Sequence, residues 1–303
     1  MTKEEKNTRK EKYRTGISAA YLFLTPALVS IIVFFFIPVI SAFIISFTDF
    51  DIYSLGSYSN LRFIGLRNYI DLFNNPLFWT SLKNTFYFVL VASPLSICVS
   101  LGAALLLNSK LVRFKAIFRL AYFIPVVTTL VAVAIVWRFI YHPRFGILNY
   151  LLGFIGINPT DWLGDPFWAM PSIILMSIWK NFGYNMIIFV AGLQNIPEHL
   201  YEAAVLEGAN NWQQFKKITL PMLAPTTVFI SIITMIGNFQ LFAEPYVMTQ
   251  GGPLNKTLSV VQYMYQEGFR WWNMGYSASI AFVLFIIIFA GTMIQLKIQK
   301  QTA

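Results

Sequence analysis

What most constrains this chain is a set of long stretches without a single charge. The segments 15–48, 84–109, 120–137, 218–243 and 271–296 contain no Asp, Glu, Lys or Arg, and a sixth, 166–197, contains only Lys180. A helix crossing a hydrocarbon core roughly 30 Å thick, at about 1.5 Å per residue, needs about 20 apolar residues. Each stretch is long enough for one crossing and too short for two. The alternation of a membrane β-strand is absent. The pattern predicts an all-α membrane protein with six transmembrane helices, near 19–47, 85–108, 118–140, 168–193, 223–247 and 276–296. Only 12% of the 303 residues are charged, against about 25% in a soluble domain.

Basic residues set the expected orientation. With the N-terminus inside, the cytoplasmic segments hold Lys3, Lys6, Arg9, Lys10, Lys12 and Arg14 in the tail, Lys110, Arg113, Lys115 and Arg119 in the second segment, Lys216 and Lys217 in the third, and Lys297 and Lys300 at the end. The opposite side holds seven: Arg62, Arg67, Lys83, Arg138, Arg144, Lys256 and Arg270. The bias predicts both termini in the cytoplasm. It also accounts for the net charge of +9 as a topology signal, so nucleic acid is not an expected partner and the lipid bilayer is. Residues 1–16 read as a basic cytoplasmic tail and 17–300 as one six-helix membrane domain. The apolar stretch behind the tail exceeds the 7–15 residues of a signal-peptide core, which predicts a retained helix.

Catalytic chemistry finds few candidates. One cysteine, Cys98, and two histidines, His142 and His199, offer no disulfide, no CxxC pair and no metal-ligand spacing. No nucleophile–base pair, paired carboxylates or G-x-x-x-x-G-K-[ST] phosphate loop is present. The chain is expected to have no catalytic residues, metal site or cofactor of its own. Pro26 and Pro38 fall within span 1 and Pro94 within span 2, where neighbouring helices can satisfy the backbone groups they free. Trp79, Tyr53, Tyr58, Tyr69 and Trp162 lie in the outer loops, at positions typical of headgroup-level aromatics.

The segment 197–221, PEHLYEAAVLEGANNWQQFKKITLP, lies between spans 4 and 5. It reads as two short helices. Pro197 suits a helix start, Glu198 and Glu202 favour the N-terminal end, and Gly208 suits a C-terminal cap. Asn210 or Asn211 suits the next N-cap, Lys216 and Lys217 the C-terminal end, and Pro221 ends the segment. Leu200, Ala203, Ala204 and Leu206 form a small apolar surface, suited to lying on headgroups or to docking a soluble partner.

Glu202-Ala203-Ala204, then Gly208, then Ile218-Thr219-Leu220-Pro221 resembles the EAA motif of permease subunits of binding-protein-dependent ABC importers. Trp179-Lys180-Asn181-Phe182-Gly183-Tyr184-Asn185, Ala191-Gly192-Leu193-Gln194-Asn195-Ile196-Pro197, Gly251-Gly252-Pro253 and Leu258-Ser259 are similar to the carbohydrate permeases of the maltose and glycerol-phosphate type. The resemblance runs over about 14–300. Glu207 departs from it, standing where sugar permeases often have Asp. The resemblance implies the type I ABC importer permease fold, with 197–221 as the coupling segment in an ATPase cleft. It implies a second homologous permease, two ATPase subunits carrying ATP and Mg, and an extracellular solute-binding protein. It places the chain in a bacterial or archaeal cytoplasmic membrane as half of a sugar pore. Glu202, Ala203, Ala204, Gly208, Ile218, Leu220 and Pro221 become the expected ATPase-coupling residues.

A sugar pathway needs hydrogen-bonding groups and aromatic faces. Span 4 offers Trp179, Gly183, Tyr184 and Asn185, and span 5 offers Thr234, Asn238 and Leu241, followed by Glu244. By resemblance these two spans line the sugar site. For the polar residues an interhelical hydrogen bond is the competing reading. For Lys180, the one cation near the middle of a span, the readings are a substrate contact, snorkelling outward and a pairing with Glu244, of which the pairing is expected. A glycerol-phosphate substrate would need cationic contacts, and Lys180 alone favours a neutral sugar. An ion-coupled secondary transporter is the alternative of another class, but the spans lack its array of buried acids.

Overall fold

The computed structural model describes residues 21–55, 61–109 and 112–302, with the side chains of Tyr53, Leu55 and 299–302 left out. The predicted tail 1–16, Tyr58 and Lys110 lie outside the described residues. The helices are α1 Tyr21–Ile45, α2 Arg67–Asn74, α3 Pro76–Asn108, α4 Lys115–Val127, α5 Leu130–Ile140, α6 Ile147–Gly153, α7 Ala169–Gln194, α8 Glu198–Leu206, α9 over 211–222, α10 Ala224–Phe239, α11 Ala243–Met248, α12 Val260–Tyr265 and α13 Met274–Thr302. Five helical stretches are long and apolar enough to cross a membrane, and the pair α4–α5 supplies a sixth if counted as one crossing.

The helices form where the uncharged stretches lie, with two departures. The predicted straight span over 118–140 is two helices bent by 99°. Thr128 and Thr129 both adopt extended backbone, with ψ of 148° and 134°. They end a run of four β-branched residues, Val126 to Thr129, which are weak helix formers. The Thr128 hydroxyl donates to the Pro125 carbonyl at 2.6 Å and helps close the end of α4. The predicted span over 223–247 is likewise interrupted at 240–242, where Phe242 has φ −142°. Pro245 has no N–H for the carbonyl of Leu241 four residues back, and the Ser259 hydroxyl takes that carbonyl instead.

α3 and α7 form the centre. α3 buries Ser81, Thr85, Ala92, Ser96, Ser100 and Ala104, a stripe of small residues that lets neighbouring backbones approach. Ser100 Oγ thereby reaches the Phe182 carbonyl of α7 at 3.0 Å, and Thr85 Oγ1 accepts from the Val260 N–H at 3.0 Å. Three apolar clusters hang on this pair. One joins Leu82 and Val89 to Phe239, Tyr263 and Leu284; a second joins Phe88 to Val133, Ile173 and Leu241; a third joins Leu107 to Phe189, Leu223 and Ile230.

The loops between helices are tied by buried polar hubs. Asn68 donates to the carbonyls of Ser46 and Thr48, both at 2.9 Å. Asn149 donates to the carbonyls of Pro143 and Thr160 and accepts from Trp162 Nε1 at 2.8 Å. Trp162 therefore packs within its loop. Asn75 caps α3 through the Leu77 N–H and donates to Tyr263 Oη at 3.0 Å. Burial pushes the Tyr263 phenol well above its usual range, so it stays a neutral partner there.

Candidate functional site

Both helix breaks face one cavity of about 530 Å³. α3 contributes Phe88, Ala92 and Ser96, the α4–α5 pair Val126 and Leu130, and α7 Ser177, Ile178, Asn181, Tyr184 and Asn185. The α10–α11 stretch contributes Ile233, Thr234, Gly237 and Asn238 and the whole interruption up to Glu244. A break puts polar backbone and short side chains at membrane depth, which is tolerated where they line a cavity.

Four of the seven expected pathway residues, Tyr184, Asn185, Thr234 and Asn238, bring hydrogen-bonding side chains to this cavity, and Leu241 an apolar wall. The asparagines also make interhelical bonds: Asn185 Nδ2 donates to Thr234 Oγ1 at 3.0 Å and Asn238 Nδ2 to Ser93 Oγ at 2.8 Å. Each amide keeps its carbonyl oxygen for another donor. Trp179 and Gly183 lie elsewhere. Trp179 turns to the opposite side of α7, 5.5 Å from the Trp137 ring. Gly183 is the point where α4 crosses α7: a Cβ there would stand 2.0 Å from the Tyr122 carbonyl oxygen.

Sequence reasoning missed Ser96, Ser177 and Asn181 as cavity residues. Ser96 Oγ is buried without a hydrogen-bond partner among the described residues. The available signal was small polar residues paired at four-residue spacing, Ser96 with Ser100 along α3 and Ser177 with Asn181 along α7.

The expected Lys180–Glu244 ion pair does not form. Lys180 Nζ donates to the carbonyls of Pro125 and Val126 at 3.4 and 3.3 Å. Those carbonyls lost their helical partners at the α4–α5 break, and a lysine is a suitable cap for them. Glu244 lies within electrostatic range of Lys180 without forming an ion pair with it, is buried at 8% exposure, and is one of the residues that border the cavity.

The 197–221 segment forms its two helices through local caps. Gly208 has φ +80°, and its N–H donates to the Val205 carbonyl at 3.0 Å while Ala209 donates to Ala204 at 2.8 Å, a Schellman closure. Asn210 and Gln213 exchange side-chain and backbone bonds at 2.9 Å as a capping box. Tyr201 Oη and Thr219 Oγ1, 2.9 Å apart, tie α8 to α9. Glu202, Ala203, Gly208, Leu220 and Pro221 are exposed and Ala204 half-buried. Leu206, at 89% exposure, and Val205, at 60%, stand out as apolar groups. Ile218 differs from its expected neighbours in that it packs inward on the third apolar cluster.

An all-helical membrane bundle with a polar cavity at two helix breaks and a capped, exposed helix pair between its fourth and fifth crossings defines a transport permease. Residues 96–302 match the family described as binding-protein-dependent transport system inner membrane component, and the chain belongs to that family. It is 40% identical over 283 residues to the arabinooligosaccharides transport system permease protein AraP of Bacillus subtilis (strain 168), covering 93% of this chain and 88% of that protein. It is 38% identical over 273 residues to the lactose transport system permease protein LacF of Rhizobium radiobacter, covering 88% and 89%. The crystal structure of a bacterial ABC transporter involved in the import of the acidic polysaccharide alginate contains a chain of the same fold, with a TM-score of 0.81, 21% identity and 97% and 99% coverage. The chain is a multi-pass permease of an ABC importer, with the type I fold.

Proposed function

We propose that this permease forms half of the pore for a sugar or oligosaccharide delivered by an extracellular binding protein. The observation that carries the reading is the cavity: one wall offers Asn181, Asn185, Thr234 and Asn238 to hydroxyl groups, and the unpartnered Ser96 hydroxyl lies on another. Polyols match such a lining, because each buried polar group needs a partner. Relatives of known name that transport arabinooligosaccharides and lactose support the same substrate class.

The pore is completed by a second homologous permease, and two ATPase subunits, carrying ATP and Mg, drive it from the cytoplasm. The 197–221 segment is the coupling element. Glu202, Ala203, Ala204 and Gly208 present its docking face, with Leu220 and Pro221 at its end and Ile218 anchoring it to the bundle. On this reading the segment and both termini lie on the cytoplasmic side of a bacterial or archaeal inner membrane, which the excess of Lys and Arg in those segments supports. Closure of the ATPase dimer moves the coupling segments together and opens the cavity outward; hydrolysis returns it inward. Such coupling requires contacts that differ between the two states.

Gentle detergent extraction of the tagged chain, followed by mass spectrometry of co-purifying proteins, tests the assembly. The expected result is a phosphate-loop ATPase and a second EAA-bearing permease. Recovery of the chain alone, together with uptake driven by an imposed ion gradient, overturns the reading in favour of a secondary transporter.

A further inference from the structure

We infer that Phe242, Tyr246, Tyr265 and Phe269 form an aromatic track along which the sugar rings of an oligosaccharide pass from the outer mouth into the cavity. The inference rests on the saccharide reading above and adds a path for chains longer than the cavity. The four rings touch in series. Phe242 borders the cavity and stacks on Tyr246, one turn along α11, with centroids 5.1 Å apart and planes 22° apart. Tyr265 meets both rings, at 5.1 and 5.4 Å. Phe269 lies in the π-helical turn Gln266–Arg270 that continues α12 and stacks on Tyr265 at 5.5 Å and 29°. All four follow the end of α10 that is remote from the 197–221 segment, which on the reading above is the outer side.

These rings are not core residues. Tyr246 and Phe269 are exposed, Phe242 and Tyr265 are half-buried, and none belongs to the three apolar clusters. Their backing is fixed. The Ser259 hydroxyl, bonded to the Leu241 carbonyl, ties the start of α12 to the start of α11 and keeps the two ring pairs side by side. Gly268 is buried where a Cβ would stand 2.7 Å from Ser277 Oγ, so the π-helical turn seats against α13 while Phe269 stays 60% exposed. An aromatic face is the negative side of the ring and attracts the C–H faces of a sugar. Such contact fixes no single position, which suits a moving chain, whereas the amides and hydroxyls of the cavity hold a sugar in one place. A short saccharide is contained by the cavity of about 530 Å³; a longer one leans on the wall outside it as well. The loss of one ring contact changes an equilibrium by about two- to tenfold.

The test uses the complete importer in proteoliposomes, with its own binding protein. The probes are the radiolabelled disaccharide and tetrasaccharide of whichever arabino-, malto- or galacto-oligosaccharide series the wild type takes up fastest. The readout is the tetrasaccharide-to-disaccharide uptake ratio, in which the binding protein's own preference cancels between wild type and variant. Tyr246→Leu combined with Tyr265→Leu is expected to lower the ratio at least threefold, and Tyr265→Phe, which keeps the ring, to retain it. A smaller fall in the double variant overturns the track, because rings that only pack against lipid or against the second permease affect both probes alike. A second measurement needs no variant. The wild-type importer, illuminated while it takes up the tetrasaccharide bearing a diazirine at its non-reducing end, is expected to carry the label within 242–269; absence of label from that segment overturns the track. Absence of uptake of every series by the wild type overturns the saccharide reading itself, whereas uptake with an unchanged ratio overturns the track alone.

Discussion

Gly183→Ala measures how closely α4 and α7 are packed. The added Cβ would lie 2.0 Å from the Tyr122 carbonyl oxygen, 2.9 Å from its carbonyl carbon and 3.3 Å from Val126 Cγ2. Two of these atoms belong to backbone, so no rotamer change relieves the contact. Reaching ordinary contact, near 3.4 Å, requires the helices to part by about 1.4 Å. Overpacking of this kind costs about 1–3 kcal/mol. The same displacement breaks the bonds from Lys180 to the Pro125 and Val126 carbonyls, already 3.4 and 3.3 Å long, and charged hydrogen bonds contribute about 1.5–3 kcal/mol. The combined loss is about 2.5–6 kcal/mol, a large part of a typical total stability of about 5–15 kcal/mol. At roughly 2 °C per kcal/mol for a chain of this size, the melting temperature falls by about 5–12 °C.

The assay is fluorescence-detected size exclusion of the full-length chain after heating in detergent. Gly102→Ala is the matched control, because a Cβ there meets nothing within 4 Å, and replacing a helix-interior glycine gains about 0.5–1 kcal/mol. Gly183→Ala melting within 2 °C of Gly102→Ala would refute the reasoning, and Gly183 would then have to be reconsidered as a residue of the solute pathway.

Three further outcomes follow from the same geometry. Gly208→Pro, at a position with φ +80° whose N–H is bonded to Val205, should leave membrane insertion intact and lower uptake per ATP hydrolysed by more than tenfold; unimpaired uptake sinks the coupling role. Lys180→Met should destabilise the bundle by about 1–3 kcal/mol by leaving carbonyls unpaired, and Glu244→Gln should not restore it. A double-mutant coupling energy above about 2 kcal/mol would reinstate the ion pair. Asn149→Ala removes the hub joining Pro143, Thr160 and Trp162; hydrogen exchange should accelerate at least tenfold within 143–162 while α3 stays protected, and uniform acceleration would contradict a local role.

The legibility of this chain divides along the range of the forces involved. Exclusion of charge from hydrocarbon acts residue by residue, so five spanning helices, and the apolar stretch that becomes the bent α4–α5 pair, could be read from the uncharged stretches. Helix caps are similarly local: the Schellman closure at Gly208 and the capping box at Asn210 involve residues within five positions of one another. The break between α4 and α5 was harder. Val126, Val127, Thr128 and Thr129 raise no objection to hydropathy, and the β-branched run after Pro125 is a weak signal unless a partner stabilises the extended backbone. That partner is Lys180, 51 residues beyond Thr129, and its role cannot be seen until the break has freed the carbonyls. Sequence reasoning therefore paired Lys180 with the one visible opposite charge. The error and the missed bend are one fact: the carbonyl end of a broken helix is a negative group that no residue letter records.

The same fact explains why the cavity lies where it does. A helix broken in hydrocarbon must satisfy its free backbone groups, and each break here recruits a polar side chain from another element, Lys180 for α4 and Ser259 for Leu241. With the backbone satisfied from behind, the groups in front remain available. Asn185, Asn238 and Ser96 retain unused hydrogen-bonding capacity toward the cavity. A straight α4–α5 helix would bond the Pro125 and Val126 carbonyls internally and leave Lys180 without them. Solute access is expected to depend on the 99° bend. A substitution that straightens it, such as Thr128→Leu with Thr129→Leu, should lower uptake more than it lowers thermal stability. Equal losses in both would mean that the bend serves packing alone.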